Sequence, residues 1–143
     1  MAATPQFRRV PHNATLTFTN ADGTNLQTLI TANTGSDNLG MEVYSINVTN
    51  EDIVTAPFLL VKLWYSSGGN DVLICAFPIP PGAGINGSSA SSLLDPEVMN
   101  NVPIDNNGNA FIPLEPGHSL KVSMGSAINP GDEVTIIAFG AEY

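Results

Sequence analysis

Positive charge is scarce in this 143-residue sequence, which has four Lys and Arg residues against thirteen Asp and Glu residues. Two of the four cations are the adjacent Arg8 and Arg9, and no acidic residue precedes them. From residue 10 onward, thirteen carboxylates and two lysines therefore give a formal charge of −11. Because binding to nucleic acid depends on clustered Lys and Arg side chains, we expect no nucleic-acid partner for the folded body.

Cysteine is almost absent, since Cys75 is the only one in the chain. It has no partner for an intrachain disulfide, and within its apolar run it is expected to behave as a small hydrophobic residue. A chain of this length suits one domain that buries roughly 68–70% of its unfolded surface, so it needs no covalent staple. We expect no metal and no cofactor, because no cluster of ligand residues stands out.

Long hydrophobic runs are missing as well. No apolar segment approaches the roughly 18 residues of a membrane span. Residues 1–5 also lack the basic region followed by an apolar stretch that marks a signal peptide. We expect synthesis in a cytoplasm, no secretion and no membrane partner.

Glycine-rich and acidic motifs that often carry chemistry are present only in the wrong context. Residues 82–87 fit the pattern G-x-G-x-x-G, but Pro80 and Pro81 precede them and no helix is predicted after them. A nucleotide site needs that strand and helix. Residues 105–109 (DNNGN) resemble a calcium loop in their alternating oxygens, but the required glycine and final acid are missing. The pattern favours a plain Asn-Gly turn.

Histidine is limited to His12 and His118, far apart in the chain. Neither is near a motif typical of a metal centre or of a Ser-His-Asp arrangement. We expect His118 to face solvent in a turn, and we predict no catalytic residues and no enzymatic activity.

The most informative stretch present is a hairpin, formed by two apolar runs at residues 58–65 and 71–77. Between them, Gly68 and Gly69 provide the positive φ that a tight turn requires. The first run is apolar on both faces, whereas an antiparallel strand usually keeps one face polar. One predicted face holds Leu59, Val61, Leu63 and Tyr65, and the other holds Phe58, Leu60 and Trp64.

Further strands are predicted wherever apolar residues alternate between turns. The predicted strands are residues 15–19, a strand containing Leu26 and Ile30, residues 42–49 with Tyr44, Ile46 and Val48 inward, residues 111–112, 119–124 and 133–139. About eight short strands with almost no helix indicate an all-β, single-domain antiparallel β-sandwich, with a jelly roll as first choice and an immunoglobulin-like sandwich as second. Residues 78–109 are predicted as one long irregular insertion.

Apolar residues are predicted on the outer face of the hairpin and of the last strand. They suggest that another subunit or another part of the chain covers these faces. Such faces left wet would form a larger patch than soluble monomers usually expose. We therefore predict a homo-oligomer, with a trimer as the favoured state, unless residues 78–109 fold over the sheet. The candidate interface residues are Phe58, Leu60, Trp64, Ile137 and Phe139.

An extended N-terminal arm is predicted for residues 1–14, because its prolines disfavour both helix and regular sheet pairing. The sandwich domain is then 15–143. Within the arm, Arg8 and Arg9 suit bidentate contact with carboxylates on a partner, and Pro5 and Phe7 provide an apolar anchor. We predict that these four residues contact a neighbouring subunit or another protein.

A family resemblance rests on three segments. Residues 61–74 (VKLWYSSGGNDVLI), 114–123 (LEPGHSLKVS) and 133–143 (EVTIIAFGAEY) resemble the corresponding parts of small structural proteins of tailed bacteriophages. The similarity covers roughly residues 25–143, and the insertion at 78–109 is longer than such proteins lead us to expect. Such proteins look like head decoration, or cement, proteins.

The resemblance implies a β-sandwich knob, commonly trimeric, that binds the major capsid protein on the outer surface of the virion capsid. It implies no catalytic residues. The alternative is a trimeric tail-tip or fibre head domain that binds a host receptor or glycan. A third class, a small hydrolase or lectin-like carbohydrate enzyme, has the least support.

Overall fold

The computed structural model describes residues 10–53, 59–85, 87–96, 99 and 102–143. Nine β-strands and one 3₁₀ turn at Asn20–Asp22 form the regular structure of these ranges, which contain no α-helix. None of the described segments is a helix long and apolar enough to cross a membrane. The strands are β1 (Val10–Phe18), β2 (Gln27–Thr31), β3 (Met41–Asn50), β4 (Leu59–Ser67), β5 (Asn70–Ile79), β6 (Ser91–Ser92), β7 (Ile112–Leu114), β8 (Ser119–Met124) and β9 (Val134–Glu142).

The strands pair in a nested order: β1 with β9, β2 with β8, β3 with β7 and β4 with β5. The chain is therefore one long antiparallel hairpin whose turn is the β4–β5 connection. The hairpin is rolled up, because β3 also pairs with β9 and β4 also pairs with β8. Sheet A has the order β1-β9-β3, with β6 and β7 both paired to β3, and sheet B has the order β2-β8-β4-β5. This is the predicted jelly-roll sandwich rather than the immunoglobulin-like alternative.

The core lies between the two sheets and is built from alternate residues of each strand. Val61 and Leu63 of β4, Leu120 and Val122 of β8, and Ile136 of β9 are completely buried there. Alternation follows from strand geometry, because successive side chains point to opposite faces of a sheet. The residues between these buried positions therefore point to the outer faces of the two sheets.

The predicted tight turn of the central hairpin is confirmed. Ser67 pairs with Asn70, so only Gly68 and Gly69 connect the strands. Their φ angles are 58° and 88°, as a type I′ turn requires at both central positions.

A β-bulge in β3 corrects the prediction for Tyr44. The pairing of β3 with β9 shifts register between Val43 and Ser45. The extra residue turns Tyr44 outward, where 53% of it is exposed, although alternation had placed it in the core.

The long segment 78–109 is more ordered than predicted and packs on the chain's own core. Ser91 and Ser92 form β6 beside β3, and the Leu93 amide donates to the Ile46 carbonyl at 2.8 Å. Leu93 and Met99 are buried in the core. The segment therefore fills the side of the sandwich next to β3.

Strand β1 begins at Val10, so residues 10–14, which the sequence assigned to an arm, belong to the sandwich. Pro11 pairs with Ala141 of β9 in a regular antiparallel register. The proline is tolerated because β1 is the edge strand of sheet A, where a missing N–H costs no ladder bond. The four partner-binding candidates Pro5, Phe7, Arg8 and Arg9 precede β1 and lie outside the described residues.

A pair of glycine substitutions tests the close approach of the β2–β3 loop to β7. Gly40 has φ +108°, and a Cβ there would contact the Leu114 carbonyl oxygen; Gly131 has φ +91° and open space around it. Both alanine variants carry the positive-φ cost of about 1–2 kcal/mol. We expect Gly40→Ala to lower the free energy of unfolding by a further ~1–3 kcal/mol, because a backbone atom cannot move aside easily.

Urea unfolding of the two variants and the parent protein measures this difference. Equal losses for Gly40→Ala and Gly131→Ala would contradict the close approach.

Candidate interaction surfaces

The outer face of sheet A contains two of the predicted interface residues. Ile137 and Phe139 of β9 are half-buried and lie between the edge strand β1 and β3. Ile137 pairs with Thr15 and Asn47, and Phe139 pairs with Asn13 and Ser45. The cross-strand neighbours of this apolar pair are therefore all polar residues.

The outer face of sheet B contains the other two described candidates. Leu60 is 37% exposed, and its cross-strand partner Pro78 is exposed as well. Trp64 is half-buried and pairs with Leu73, which is 45% exposed. The Trp64 indole N–H donates to Ser123 Oγ at 3.0 Å, which fixes the ring against β8. We call the residues Leu60, Trp64, Leu73 and Pro78 the hairpin face; the fifth candidate, Phe58, lies outside the described residues.

The two apolar faces point in opposite directions, because sheets A and B are the two layers of one sandwich. A contact that joined sheet A of one copy to sheet B of the next would stack copies in a line, and such head-to-tail contacts close into a ring only when the rotation between copies permits it. The two pairs of candidates therefore do not form one continuous apolar surface.

A short ion pair borders the hairpin face. Lys121 Nζ lies 3.1 Å from Asp71 Oδ1, and Lys121 pairs across the sheet with Trp64. A hydrogen bond from Ser66, together with the bond and charge of Lys121, holds the pKa of Asp71 below its usual value. The carboxylate is thus kept charged beside the apolar residues.

A continuous depression lies at the end of the sandwich where β1 begins and β9 ends, which we call the terminal end. Its first part, the terminal cleft, has a volume of about 360 Å³ and includes Leu39, Glu42, Glu115 and Tyr143 in its lining. Leu39 is 69% exposed. Carboxylates and apolar groups therefore share this cleft.

The second part, the side groove, has a volume of about 410 Å³ and runs between β5 and β7. It shares Tyr65 and Pro113 with the terminal cleft. Val72 and Leu73 on its β5 wall are 55% and 45% exposed. Most of its lining is apolar and includes Val72, Leu73, Ile74, Val102, Pro103 and Pro113.

The third part, the loop cleft, has a volume of about 570 Å³ and shares Glu42 with the terminal cleft. Tyr44 and Phe111 line it together with Asp105 and the amides of neighbouring asparagines. Its composition combines aromatic faces with hydrogen-bonding groups.

His118 is more buried than the sequence indicated. It packs edge-on against Tyr65, with ring centroids 5.6 Å apart, and its Nδ1 is 2.8 Å from the Tyr65 hydroxyl. Ser67 Oγ and Glu115 Oε2 both approach the other ring nitrogen, Nε2, at 3.4 and 3.7 Å. A catalytic triad needs the serine and the carboxylate on different ring nitrogens. The cluster therefore holds the terminal end together instead of forming that arrangement.

His12 also has a structural partner. Its Nδ1 lies 2.7 Å from Oε1 of Glu142, which also accepts from the Asn33 amide at 3.0 Å. Glu142 is 4% exposed. The contact ties β1, β9 and the loop after β2 at the terminal end.

The motif at residues 105–109 forms a turn, as predicted. Asp105 Oδ1 accepts from the amides of Asn107 and Asn109 at 2.8 and 2.9 Å, and these bonds lower the pKa of Asp105. Gly108 has φ 82° within this turn. Within the described ranges, no group of three or more His, Cys, Asp or Glu residues is placed to hold a metal ion.

The depression was not found from the sequence, although its signals are partly visible there. Val72 and Leu73 are adjacent apolar residues in the second run of the hairpin, so they lie on opposite faces of β5, the edge strand of sheet B. Tyr44 was assigned to the core because alternation contains no sign of the bulge. Pro103 and Pro113 meet β5 only through the tertiary fold.

Comparison with known proteins identifies the fold but no family. No protein-family model matches the sequence, and no curated protein is significantly similar to it. A chain of the acidic stable capsid structure of Helicobacter pylori bacteriophage KHP30 is similar over 94% of this chain and 91% of that chain, with 8% sequence identity and a TM-score of 0.53. A chain of the capsid asymmetric unit of cyanophage Pam1 matches over 99% of this chain and 92% of its own, at 12% identity and a TM-score of 0.47.

The ion pair beside the hairpin face predicts a pH-dependent contribution to stability. Because the folded pKa of Asp71 is lowered, its stabilisation is present above the usual pKa of a carboxyl group and is lost as pH falls through the folded pKa. We expect Asp71→Asn to lower the melting temperature slightly at neutral pH and to match the parent protein near pH 2 (about the lower end of this titration).

Thermal melts across this pH range measure the effect, with Asp37→Asn as the control. Asp37 is exposed in the loop after β2, and removal of its charge should leave the pH profile unchanged. A constant difference between Asp71→Asn and the parent at all pH values would contradict the prediction.

Proposed function

We propose that this protein is a structural component of a phage particle, a decoration or cement protein that binds the outer surface of the head and stabilises it. The observation that carries the proposal is the fold similarity to a chain of a phage capsid structure over nearly the full length of both chains. The coverage of both chains means that the two chains are similar in length. The sequence resemblance to small phage structural proteins supports the same role.

The surface chemistry of the described residues suits a binding role better than a catalytic one. The sandwich has apolar outer positions at Leu60, Leu73, Ile137 and Phe139 on two rigid sheets. Its histidines are held in packing contacts at the terminal end. A rigid body of this kind stabilises a shell by joining neighbouring subunits, because separating them then also requires breaking its contacts. The proposed partner is the major capsid protein.

The arm residues Pro5, Phe7, Arg8 and Arg9 are proposed to contribute to these contacts. They directly precede β1, which starts at the terminal end beside the acidic Glu142 and Asp37. The positive pair and the strongly acidic body are complementary in charge, so arm contacts with another copy or with acidic capsid residues are favourable.

A second candidate function is supported by the loop cleft. Tyr44 and Phe111 offer aromatic surface there, and Asp105, Asn106 and Asn109 offer donors and acceptors. A small polar ligand such as a glycan needs a few placed polar groups together with apolar walls. This is the arrangement expected of a tail-tip or fibre head domain that binds a host receptor.

The position of the protein on the particle separates the two functions. We expect purified protein to bind phage heads that lack it, in many copies on the outer surface, and to raise the temperature at which those heads release DNA. Cryo-electron microscopy of the reconstituted particles gives the copy number and the position. The double variant Tyr44→Ala/Phe111→Ala should bind the heads as the parent does. Density confined to the tail tip, with loss of host binding in that variant, would support the receptor function instead.

Oligomerisation through the hairpin face is the second expectation. Leu60 and Leu73 are more than one-third exposed, whereas Ile137 and Phe139 are framed by polar neighbours. We expect a trimer in sedimentation at micromolar concentration. The double variant Leu60→Ser/Leu73→Ser should associate more weakly, because burial of each leucine side chain contributes at most about 1.5–3 kcal/mol to the free energy of association. The matched control is Ile137→Thr/Phe139→Thr. A parent protein that sediments as a single chain would contradict the expectation.

A further inference from the structure

We infer that the side groove and the terminal cleft together receive residues 1–9 of a second copy of this chain. The inference deepens the proposed oligomeric role and rests on it for the presence of that second copy. It assigns a defined surface to the arm, which the sequence left without a partner.

The groove is suited to an apolar side chain on a segment that is not a strand. Its walls are apolar, and Val72 and Leu73 on the β5 wall are about half exposed. The opposite wall includes Pro113 of β7, which pairs only with β3 among the described strands. Proline has no N–H to offer at that free edge, so an added strand cannot continue the ladder there. Binding in the groove therefore depends on side-chain burial.

The rim is acidic where the groove meets the terminal cleft. Glu115, 78% exposed, and Glu42 line that cleft, which shares Tyr65 and Pro113 with the groove. An occupant that places an apolar group in the groove thus brings its neighbouring residues to carboxylates. Guanidinium groups bind such carboxylates in a bidentate manner.

Residues 1–9 have the matching order of groups. Phe7 is followed directly by Arg8 and Arg9, which are half of all the cations in the chain. In an extended segment, Phe7 and Arg9 point to the same side about 7 Å apart, so one can enter the groove while the other reaches the rim. The remaining cations, Lys62 and Lys121, lie on β4 and β8 of sheet B.

The second copy comes from the proposed oligomer, and the length of the arm permits the contact. Strand β1 lies at one edge of sheet A and β7 lies beside β3 near the other, with β9 between them. Nine residues span at most about 30 Å when extended, which is enough to cross to a neighbouring copy.

Disulfide trapping between differently tagged chains tests the inference. One chain carries Phe7→Cys and the other Val72→Cys, both in a Cys75→Ala background, and the chains are co-expressed. We expect a crosslink between the two tags under mild oxidation. The control partner carries Ile53→Cys in place of Val72→Cys. Ile53 is 71% exposed and lies outside the groove, so the control partner should crosslink at background level. A third protein carries Phe7→Cys and Val72→Cys in the same chain. Background-level crosslinking between the two tags, together with an intrachain disulfide in this third protein, would overturn the inference in favour of the arm's own groove.

Charge reversal provides an independent measurement. We expect Arg8→Glu/Arg9→Glu to weaken self-association about tenfold in sedimentation, and Glu115→Lys in the same chain to restore most of it. The control is Glu133→Lys, which should not restore association. Glu133 directly precedes β9, at the end of the sandwich opposite the terminal end. Failure of Glu115→Lys to differ from this control would overturn the assignment of the rim.

These experiments distinguish failure of the inference from failure of the proposed capsid role. Crosslinking between copies together with no binding to phage heads would leave the inference standing and remove the capsid role. Head binding by a protein whose chains do not crosslink would leave the capsid role standing and remove the inference.

Discussion

The pairing of β3 with β9 is the constraint on which the rest of the structure depends. The nested hairpin alone would be a long ribbon, and this pairing bends it into two layers by placing β9 between β1 and β3. Burial of the inner faces follows, with Ile136 and Ala138 of β9 at the centre of the core. Gly140 is needed in the same strand, because a Cβ there would meet Met41 and two backbone carbonyl oxygens.

Rolling the hairpin also decides where contacts with other molecules are available. It directs the second apolar faces of β4 and β9 to opposite sides of the sandwich, so they do not form one continuous surface. It brings the edges of β5 and β7 close enough to form a groove from residues distant in sequence. The terminal end gathers His118, Tyr65, Glu115 and Glu142, whose hydrogen bonds fix the walls of that depression.

Most of the fold could be predicted from the sequence because it depends on local patterns. Alternation and turn residues located eight of the nine strands, and Gly68 and Gly69 identified the hairpin turn. The errors arose where tertiary pairing overrides local preference. Pro11 is tolerated because β1 is an edge strand, and the bulge in β3 turns the Tyr44 side chain outward instead of into the core. The side groove was harder to predict from the sequence, because it exists only after the fold brings β5 and β7 together. The hairpin face was found, since Leu60 and Trp64 break the expected alternation of polar residues.

The nested topology also sets the order in which the protein can fold during synthesis. Val10 pairs with Glu142, so the first strand waits for almost the last residue of the chain. Until β9 leaves the ribosome, β1 and β3 have no central strand between them, and among the described strands of sheet A only β6 and β7 are available to pair with β3. Contacts of such high sequence separation form slowly. Through this interval the dense negative charge of the chain keeps nascent copies apart.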